Sequence, residues 1–299
     1  YLRAAEYRNT NWFAKLFQTG VMQNHAVSLS TGSDKASYYA SISVLSDPGW
    51  MKYSHSDRYT ANLNANYKLS QKVSFNVIVN GAYRQGRTPG SVDPLTGKVS
   101  SELGLNPYSY ALNTSRTLDP TVAYRYRYAH MNIFEELENN YTDSHIGDIK
   151  IQGRLSWLIT PKIEATALGA IKYQSISHEL NQTEQSNIAR AYRAADNLNM
   201  IKNNEYLYED PYDDFDVRRT VLPEGGIREK SESLLSGKDF RATLSYKDAF
   251  DAGKHKLQLL TGMETNDTYR SNDWGKNFGL MYELGEISYF SYEAFKQIQ

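Results

Sequence analysis

The feature that most constrains the fold is a strict alternation of apolar and polar residues over positions 58–84. Every second residue is apolar over 59–69, and the alternation resumes over 73–83 after the break Ser70-Gln71-Lys72, with Ile78 the one exception on the polar side. A period of two residues, interrupted by a tight break, predicts a β-hairpin with one apolar and one polar face. Each strand runs for about a dozen residues, whereas ordinary strands average about 5–6 and a tilted membrane-crossing strand needs about 9–11.

The same alternation recurs elsewhere and predicts roughly eight strands in all. The other predicted strands cover 24–31 and 36–45, 149–159 and 163–173, and 240–246 and 257–263. Short turns near 33, 71, 161 and 251 alternate with longer connections, which we expect at about 85–148, 175–238 and 270–299. An up-and-down membrane barrel has this asymmetry, with tight turns on one side and long loops on the other.

Aromatic residues mark both ends of the predicted apolar face. Tyr67, Trp157 and Tyr246 lie near the short turns, and Tyr59, Tyr83 and Tyr173 lie near the long loops. Eight residues separate Tyr59 from Tyr67, which is ~26 Å along a strand and ~20 Å across a bilayer at a tilt of ~40°. That span approaches the ~25 Å apolar band between the aromatic girdles of membrane barrels. We therefore predict an all-β transmembrane segment. Strands of a soluble β-sandwich also alternate between apolar and polar residues, but they do not require aromatic residues at both ends of the apolar face.

Composition excludes several other classes. The chain has 299 residues, a formal net charge of −1 and no cysteine, so it has neither a disulfide framework nor a basic patch for nucleic acid. No apolar run approaches the ~18 residues of a membrane helix, and a barrel needs none because its apolar residues occupy alternate positions. The chain starts at Tyr1 with neither a methionine nor a secretion signal, so we expect it to be part of a longer protein.

The first twenty residues predict a helix rather than a strand. Trp12, Phe13, Leu16 and Phe17 would form a short apolar stripe, and Gly20 would end the helix. We expect residues 1–22 to be a linker with a short helix and residues 23–299 to be part of a barrel.

The most distinctive candidate for substrate binding is Tyr124-Arg125-Tyr126-Arg127-Tyr128, joined by Tyr108 and Tyr110. Tyrosine and arginine side chains stack on sugar rings and hydrogen-bond to hydroxyl groups. The alternative, which the pattern favours, is an amphipathic loop strand that packs against its neighbours or a capping partner.

Neither a metal site nor a catalytic motif is predicted. The run Glu209-Asp210-Pro211-Tyr212-Asp213-Asp214-Phe215-Asp216 has oxygen ligands suited to calcium but lacks the spacing of a calcium-binding loop, so a solvated acidic loop is favoured. The six histidines are scattered, and no nucleophile elbow, phosphate loop or dinucleotide fingerprint occurs. We therefore predict no enzyme activity and no cofactor.

Several short sequences, in this order and spacing, resemble the SusC/RagA family of TonB-dependent outer-membrane transporters. They are Asn9-Thr10-Asn11-Trp12, Leu16-Phe17-Gln18-Thr19-Gly20, Gln23-Asn24-His25, Ser28-Leu29-Ser30-Thr31-Gly32-Ser33, Tyr38-Tyr39-Ala40-Ser41, Asp47-Pro48-Gly49, Arg58-Tyr59 and Leu63-Asn64. A later match is Gly253-Lys254-His255-Lys256-Leu257 followed by Gly262-Met263-Glu264. The specific matches fall mainly in the first 85 residues.

The resemblance implies a barrel of about 22 strands filled by an N-terminal plug, in the outer membrane of a Gram-negative, Bacteroidota-like bacterium. Residues 1–22 would then lead from the plug into the barrel. Such transporters import oligosaccharides or peptides with energy from the TonB–ExbB–ExbD complex, together with a SusD-like surface lipoprotein. The implied contacts of this chain are outer-membrane lipid, that lipoprotein and the substrate, with TonB reached through the plug.

Two other functions remain open at this level. One is a secreted β-rich enzyme that degrades glycans with loop carboxylates as acid and base. The other is a soluble glycan-binding module or surface adhesin. Solubility without detergent distinguishes them: either of these proteins should be soluble in water, whereas a barrel segment should precipitate without detergent.

Overall fold

A single antiparallel sheet dominates the computed structural model, which describes residues 2–90, 106–210, 212, 217–251 and 254–288. Its eight long strands lie side by side in chain order, so every connection joins neighbours. They are β1 (Gln23–Gly32), β2 (Ala36–Asp47), β3 (His55–Lys68), β4 (Val73–Pro89), β7 (Asn140–Thr160), β8 (Ile163–Gln182), β11 (Gly226–Phe250) and β12 (His255–Met281). The short strand β13 (Ile287–Ser288) pairs with the end of β12. The all-β, up-and-down architecture is therefore as predicted.

The apolar positions of neighbouring strands fall into register across the sheet. Leu63 lies between Ala40 and Val79, and Ile151 continues the row beyond Val79 to Ile171. The side chains on this face remain open to the surroundings: Leu63 is 40% exposed, and Ile171 is 57% exposed. Aligned apolar residues on an uncovered face are what a lipid-facing barrel wall requires, since a soluble sandwich would bury them.

The opposite face of the sheet is polar and connected by side-chain hydrogen bonds. The side-chain Nδ2 of Asn76 donates to Asn64 Oδ1 at 2.9 Å and to Asn66 Oδ1 at 2.7 Å. Toward the other edge of the sheet the face is charged, with an ion pair of 3.0 Å between Lys172 and Asp239. Hydrogen-bonded amides beside paired charges suit a wall that lines water.

Several strands extend beyond their predicted ends, so the irregular segments are shorter than expected. β4 continues to Pro89 and β7 already begins at Asn140, whereas the first loop was expected over 85–148. β8 continues to Gln182 and β11 begins at Gly226, whereas the second loop was expected over 175–238. The segment predicted to be irregular from 270 is strand as far as Met281. Near the long-loop end the alternating pattern fades, because both faces of these strands carry polar residues, and the sequence loses its strand signature there.

The N-terminal segment forms two short helices, α1 (Leu2–Glu6) and α2 (Trp12–Leu16), and not one helix ending at Gly20. The Asn11 side chain caps α2 by accepting a hydrogen bond from the Ala14 amide at 3.2 Å. Phe17 takes an extended backbone and forms a β-bridge with Met51, which ends the helix early. Since Met51 lies between β2 and β3, this segment sits at the long-loop end of the sheet.

The two long connections contain short helices and hairpins of their own. The first holds α3 (Pro107–Asn113), β5 (Tyr124–Tyr126), β6 (Ala129–Met131) and α4 (Ile133–Asn139); the second holds α5 (Asn187–Arg193), α6 (Leu198–Asn203), β9 (Leu207–Tyr208) and β10 (Arg219–Thr220). The helical turn expected within 124–138 is α4, whereas 124–131 form a hairpin. A 3₁₀ turn (Tyr282–Leu284) follows β12.

Two small apolar clusters give these segments their cores. One contains Trp12, Leu16, Met131, Ile133 and Leu137, and the other contains Ile188, Ala189, Ala191, Leu222 and Ile227. Tyr126 packs against both clusters, so the two long connections share packing. No helix among the described residues has the length and apolar content needed to cross a membrane.

Candidate functional site

A cleft of about 560 Å³ opens between α3 and the β5–β6 hairpin, and we call it the tyrosine cleft. Its walls include Tyr110, Tyr124, Arg125 and Tyr126, four of the seven residues predicted to bind substrate. The rest of the lining comprises amide and hydroxyl side chains in and around α3 together with two apolar side chains: Asn106, Ser109, Asn113, Thr114, Ser115, Leu118 and Met131. Aromatic walls with a few polar groups are typical of ligand-binding clefts.

The α3 side of the cleft is fixed by capping and packing. Asn106 caps the helix, its side-chain oxygen accepting from the amides of Tyr108 and Ser109, and Pro107 occupies the first turn. The Tyr110 ring meets Trp12 edge to face at a centroid distance of 5.3 Å. Burial raises the pKa of the Tyr110 hydroxyl, so this group is a neutral phenol at physiological pH. The wall is therefore rigid and uncharged.

The hairpin side of the cleft carries an accessible cation. The Tyr124 hydroxyl accepts a hydrogen bond from the Asp119 amide at 2.7 Å, which fixes that ring. Arg125 lies between the half-buried Tyr124 and Tyr126 and is exposed. Within the described residues, no hydrogen bond or ion pair engages its guanidinium. As far as the described residues show, Arg125 keeps up to five N–H donors for a ligand in the cleft.

The remaining two residues of the tyrosine–arginine run connect the loops and do not line the cleft. Arg127 has a φ of 54° at the hairpin turn, and its guanidinium donates to the Tyr206 hydroxyl at 3.2 Å. The Tyr128 hydroxyl donates to the Asn203 carbonyl at 2.7 Å. For these two residues the packing alternative describes the observed contacts.

Tyr108 also lies outside the cleft, in an exposed aromatic cluster at the long-loop end. Its ring meets Phe13, Phe17 and Trp50 edge to face at centroid distances of 5.6, 6.4 and 6.5 Å. Phe17 stacks on Trp50 at 4.9 Å. The sequence Pro107-Tyr108-Ser109-Tyr110 alone did not separate the two tyrosines, although residues 108 and 110 of a helix point in different directions.

The predicted girdle residues lie on the apolar face at both of its ends. Tyr59, Tyr67, Tyr83, Trp157 and Tyr173 are between 42% and 50% exposed. Tyr59 and Tyr83 are directly opposite each other and stack at 6.5 Å. Tyr246 is half-buried, and its hydroxyl donates to Asp248 Oδ2 at 2.8 Å.

Sequence reasoning missed His145, which extends the outer row of aromatics. Its ring stacks with Tyr83 at 6.3 Å, and the Tyr83 hydroxyl lies 2.9 Å from His145 Nδ1. It also missed the polar lining of the cleft. Asn106-Pro107, a capping residue before a proline, is a helix-start signal that could have located α3.

The acidic run offers no metal site in the part of the chain that the structure covers. Glu209 accepts from Arg218 at 2.7 Å, while Pro211 and residues 213–216 lie outside the described residues. Over the described ranges, no group of three His, Cys, Asp or Glu side chains is placed to hold a metal ion.

The fold defines the class of structure: a meander of long antiparallel strands with one apolar and one polar face, as in the wall of a membrane barrel. Among solved structures, the chain matches that of the RagAB peptide transporter with a TM-score of 0.65 at 18% identity, over 94% of this chain and 28% of the other. It also matches the RagAB peptide importer in its "closed-closed" and "open-open" states, each with a TM-score of 0.59 at 19% identity over 90% of this chain.

These matches show a SusC/RagA-like fold. The chain spans little more than a quarter of the chains it matches, at 28%, 27% and 26% of their lengths. No family model matches the sequence, and no curated protein matches it.

Proposed function

We propose that this chain forms part of the barrel wall of an outer-membrane transporter that imports an oligomeric nutrient, a glycan or a peptide. The observation that carries the proposal is the continuous apolar face of the sheet, uncovered on one side and opposed by a polar face on the other. A water-lined passage through a bilayer needs both faces at once. The fold likeness to transporter chains supports the same function, and neighbours of this kind are not enzymes.

The resemblance of the first 85 residues to the SusC/RagA family supports the finer parts of the proposal. By that resemblance, transport is driven by the TonB–ExbB–ExbD complex through a plug, and a SusD-like surface lipoprotein helps to capture the substrate. The structures matched by fold are those of the RagAB peptide transporter and importer, and this likeness is consistent with a partner lipoprotein at the outer side.

Within this proposal, the tyrosine cleft recognises the substrate. It lies at the long-loop end of the sheet, which would face the outside if the short turns face the periplasm. Rigid aromatic walls, fixed polar side chains and the accessible guanidinium of Arg125 give it the groups that bind sugar hydroxyls or peptide carbonyls.

The transport proposal can be tested by placing spin labels on the two faces in the full-length protein. Labels at Leu63, Val77, Leu155 and Ala167 on the apolar face should contact membrane-soluble oxygen. Labels at the adjacent Asn64, Asn76 and Arg154 on the polar face should contact a water-soluble nickel chelate instead. If the first four labels are shielded from both reagents, those residues pack inside a protein interior and the barrel assignment fails.

Recognition by the cleft needs a separate experiment. Arg125→Ala in the full-length transporter should weaken binding of the nutrient by about tenfold, the usual effect of losing a hydrogen bond to a charged group. Arg84→Ala, an exposed arginine outside the cleft, is the matched control. Unchanged binding of every candidate nutrient by Arg125→Ala would exclude the cleft from substrate recognition while leaving the barrel assignment intact.

A further inference from the structure

Near the long-loop end of the sheet, β12 carries a tryptophan on the polar face. Trp274 is 66% exposed and lies opposite Ser231 of β11. The β11–β12 register is unbroken from His255 to Asn277, so Trp274 shares a face with Glu264 and Asn266. A girdle tryptophan would lie on the opposite, apolar face, and a core tryptophan would be buried, so neither role accounts for Trp274.

Hydrogen bonding fixes the edge of this indole and leaves its rings uncovered. Trp274 Nε1 donates to Glu229 Oε1 at 3.0 Å. The other oxygen of Glu229 lies 4.0 Å from Lys276 Nζ, and that ammonium lies 5.4 Å from the centre of the Phe278 ring. Phe278 in turn meets Tyr192 of α5 edge to face at 5.8 Å. The indole therefore has a set orientation beside an acceptor, a donor and a second aromatic ring.

The charges of this patch balance. Glu229 and Lys276 face each other as one acid and one base, so the patch has hydrogen-bonding capacity with little net charge. Ser231 and Asn272 add a hydroxyl and an amide on the same face. Because the opposite charges of Glu229 and Lys276 nearly cancel, the patch has no net attraction for a cation or an anion stacked on Trp274. A neutral ligand with one apolar face and several hydroxyls is the best chemical match.

We propose that Trp274, with Glu229 and Lys276, is a platform for a neutral pyranose unit of the transported substrate. The C–H face of such a sugar packs on the indole, while its hydroxyls donate to Glu229 and accept from Lys276. The inference rests on the proposed import function and deepens it: of the two substrate classes, the platform selects neutral glycans.

The test measures binding by the full-length protein in detergent, with intrinsic fluorescence and calorimetry as readouts. The probes are neutral hexasaccharides of glucose, mannose and xylose, with hexa-alanine as the peptide comparison. At least one hexasaccharide should bind, with a change in tryptophan fluorescence, and hexa-alanine should not. Trp274→Ala should weaken that binding at least tenfold, whereas Trp274→Phe, which keeps an aromatic ring, should weaken it only about threefold.

Trp157→Ala is the matched control, because Trp157 is an exposed tryptophan on the apolar face and its loss should leave binding unchanged. Heat-modified mobility in gels confirms that each variant is folded. Wild-type affinity in folded Trp274→Ala, binding of hexa-alanine alone, or failure of all three hexasaccharides to bind overturns the platform. This binding measurement needs neither TonB nor a membrane, so it can succeed where transport fails. If the wild-type protein binds a hexasaccharide in a Trp274-dependent way but cells do not take that sugar up, import is refuted and the platform stands.

Discussion

At the scale of single residues, Glu136 joins the two long connections. Its carboxylate is only 4% exposed and accepts hydrogen bonds from Asn140 Nδ2 at 2.7 Å and from the Asn187 amide at 2.6 Å. Asn187 belongs to α5 in the second connection, whereas Glu136 belongs to α4 in the first. Because the buried carboxylate of α4 accepts from the first residue of β7 and from the first residue of α5, the packing of the first connection depends on that of the second.

Removing this carboxylate should loosen both segments. In Glu136→Ala the two donors are left buried without an acceptor, which costs about 1–3 kcal/mol for each. We expect faster hydrogen exchange at Asn187 and across α4 and α5. Glu135→Ala is the matched control: Glu135 is exposed and its 3.5 Å pair with Arg190 is worth at most about 1 kcal/mol. Equal exchange rates in the two variants would contradict the role assigned to Glu136.

The same residue predicts a pH dependence. Burial raises the pKa of Glu136 more than its two hydrogen bonds and Arg190 lower it. A carboxyl group whose pKa is raised by folding contributes stability below its unfolded pKa of about 4.3 and loses that contribution as pH rises through the folded pKa. Relative to Glu136→Gln, which does not titrate, the wild-type loops should therefore open more easily at pH 7 than at pH 4. Hydrogen exchange of both proteins at the two pH values measures this difference, and a pH-independent difference would refute it.

At the scale of elements, the sequence predicted the strands well wherever the two faces meet different surroundings. Apolar residues recur at every second position in β3 and β4, and the strands pair as that pattern requires, with Tyr59 opposite Tyr83. The prediction failed toward the long-loop end, where Glu232 on one face and Ser233 on the other are both polar. Alternation of apolar and polar residues reveals a strand only where one face contacts an apolar environment. The full lengths of β11 and β12 therefore could not be predicted from this pattern.

The two faces should respond oppositely to a new charge. Leu63→Arg places a cation on the apolar face near mid-strand, which should cost about 2–4 kcal/mol if that face meets lipid. Asn62→Arg, one residue earlier, places the same cation on the polar face beside Ser41 and should be tolerated. The yield of heat-modifiable, folded protein in the outer membrane measures both. Equal tolerance of the two variants would be incompatible with a lipid-facing Leu63.

At the scale of the whole molecule, the cleft depends on contacts that no periodic pattern records. The Thr10 hydroxyl donates to the Leu118 carbonyl at 2.8 Å, and Trp12 Nε1 donates to the Ser115 carbonyl at 3.0 Å, each across more than a hundred residues. The sequence identified Tyr110, Tyr124 and Arg125 as candidates from their chemistry. It could not bring them together, because their arrangement is set by tertiary packing on the N-terminal segment.

The strands are also much longer at one edge of the sheet than at the other. β1 has 10 residues, whereas β11 has 25 and β12 has 27. At ~3.3 Å per residue and a tilt of ~40°, a strand of that length is ~60 Å tall, more than twice the ~25 Å apolar band. On the apolar side of β12, Thr265 is followed by Asp267, Tyr269, Ser271 and Asp273, so the band ends near the middle of the strand.

The longest strands should therefore extend well beyond the bilayer on the long-loop side. The end of the apolar band can be located along β12. Spin labels at Met263 and Asp273, which lie on the same face, should give opposite results in the membrane-inserted full-length protein. Met263 should contact oxygen dissolved in lipid, while Asp273, ten residues farther along, should contact the water-soluble nickel chelate. Labels at Leu244 and Glu232 of β11 provide the matched pair on the neighbouring strand. If Asp273 and Glu232 reported lipid, the sheet would be inserted to a different depth and the apolar band would not end near the middle of β12.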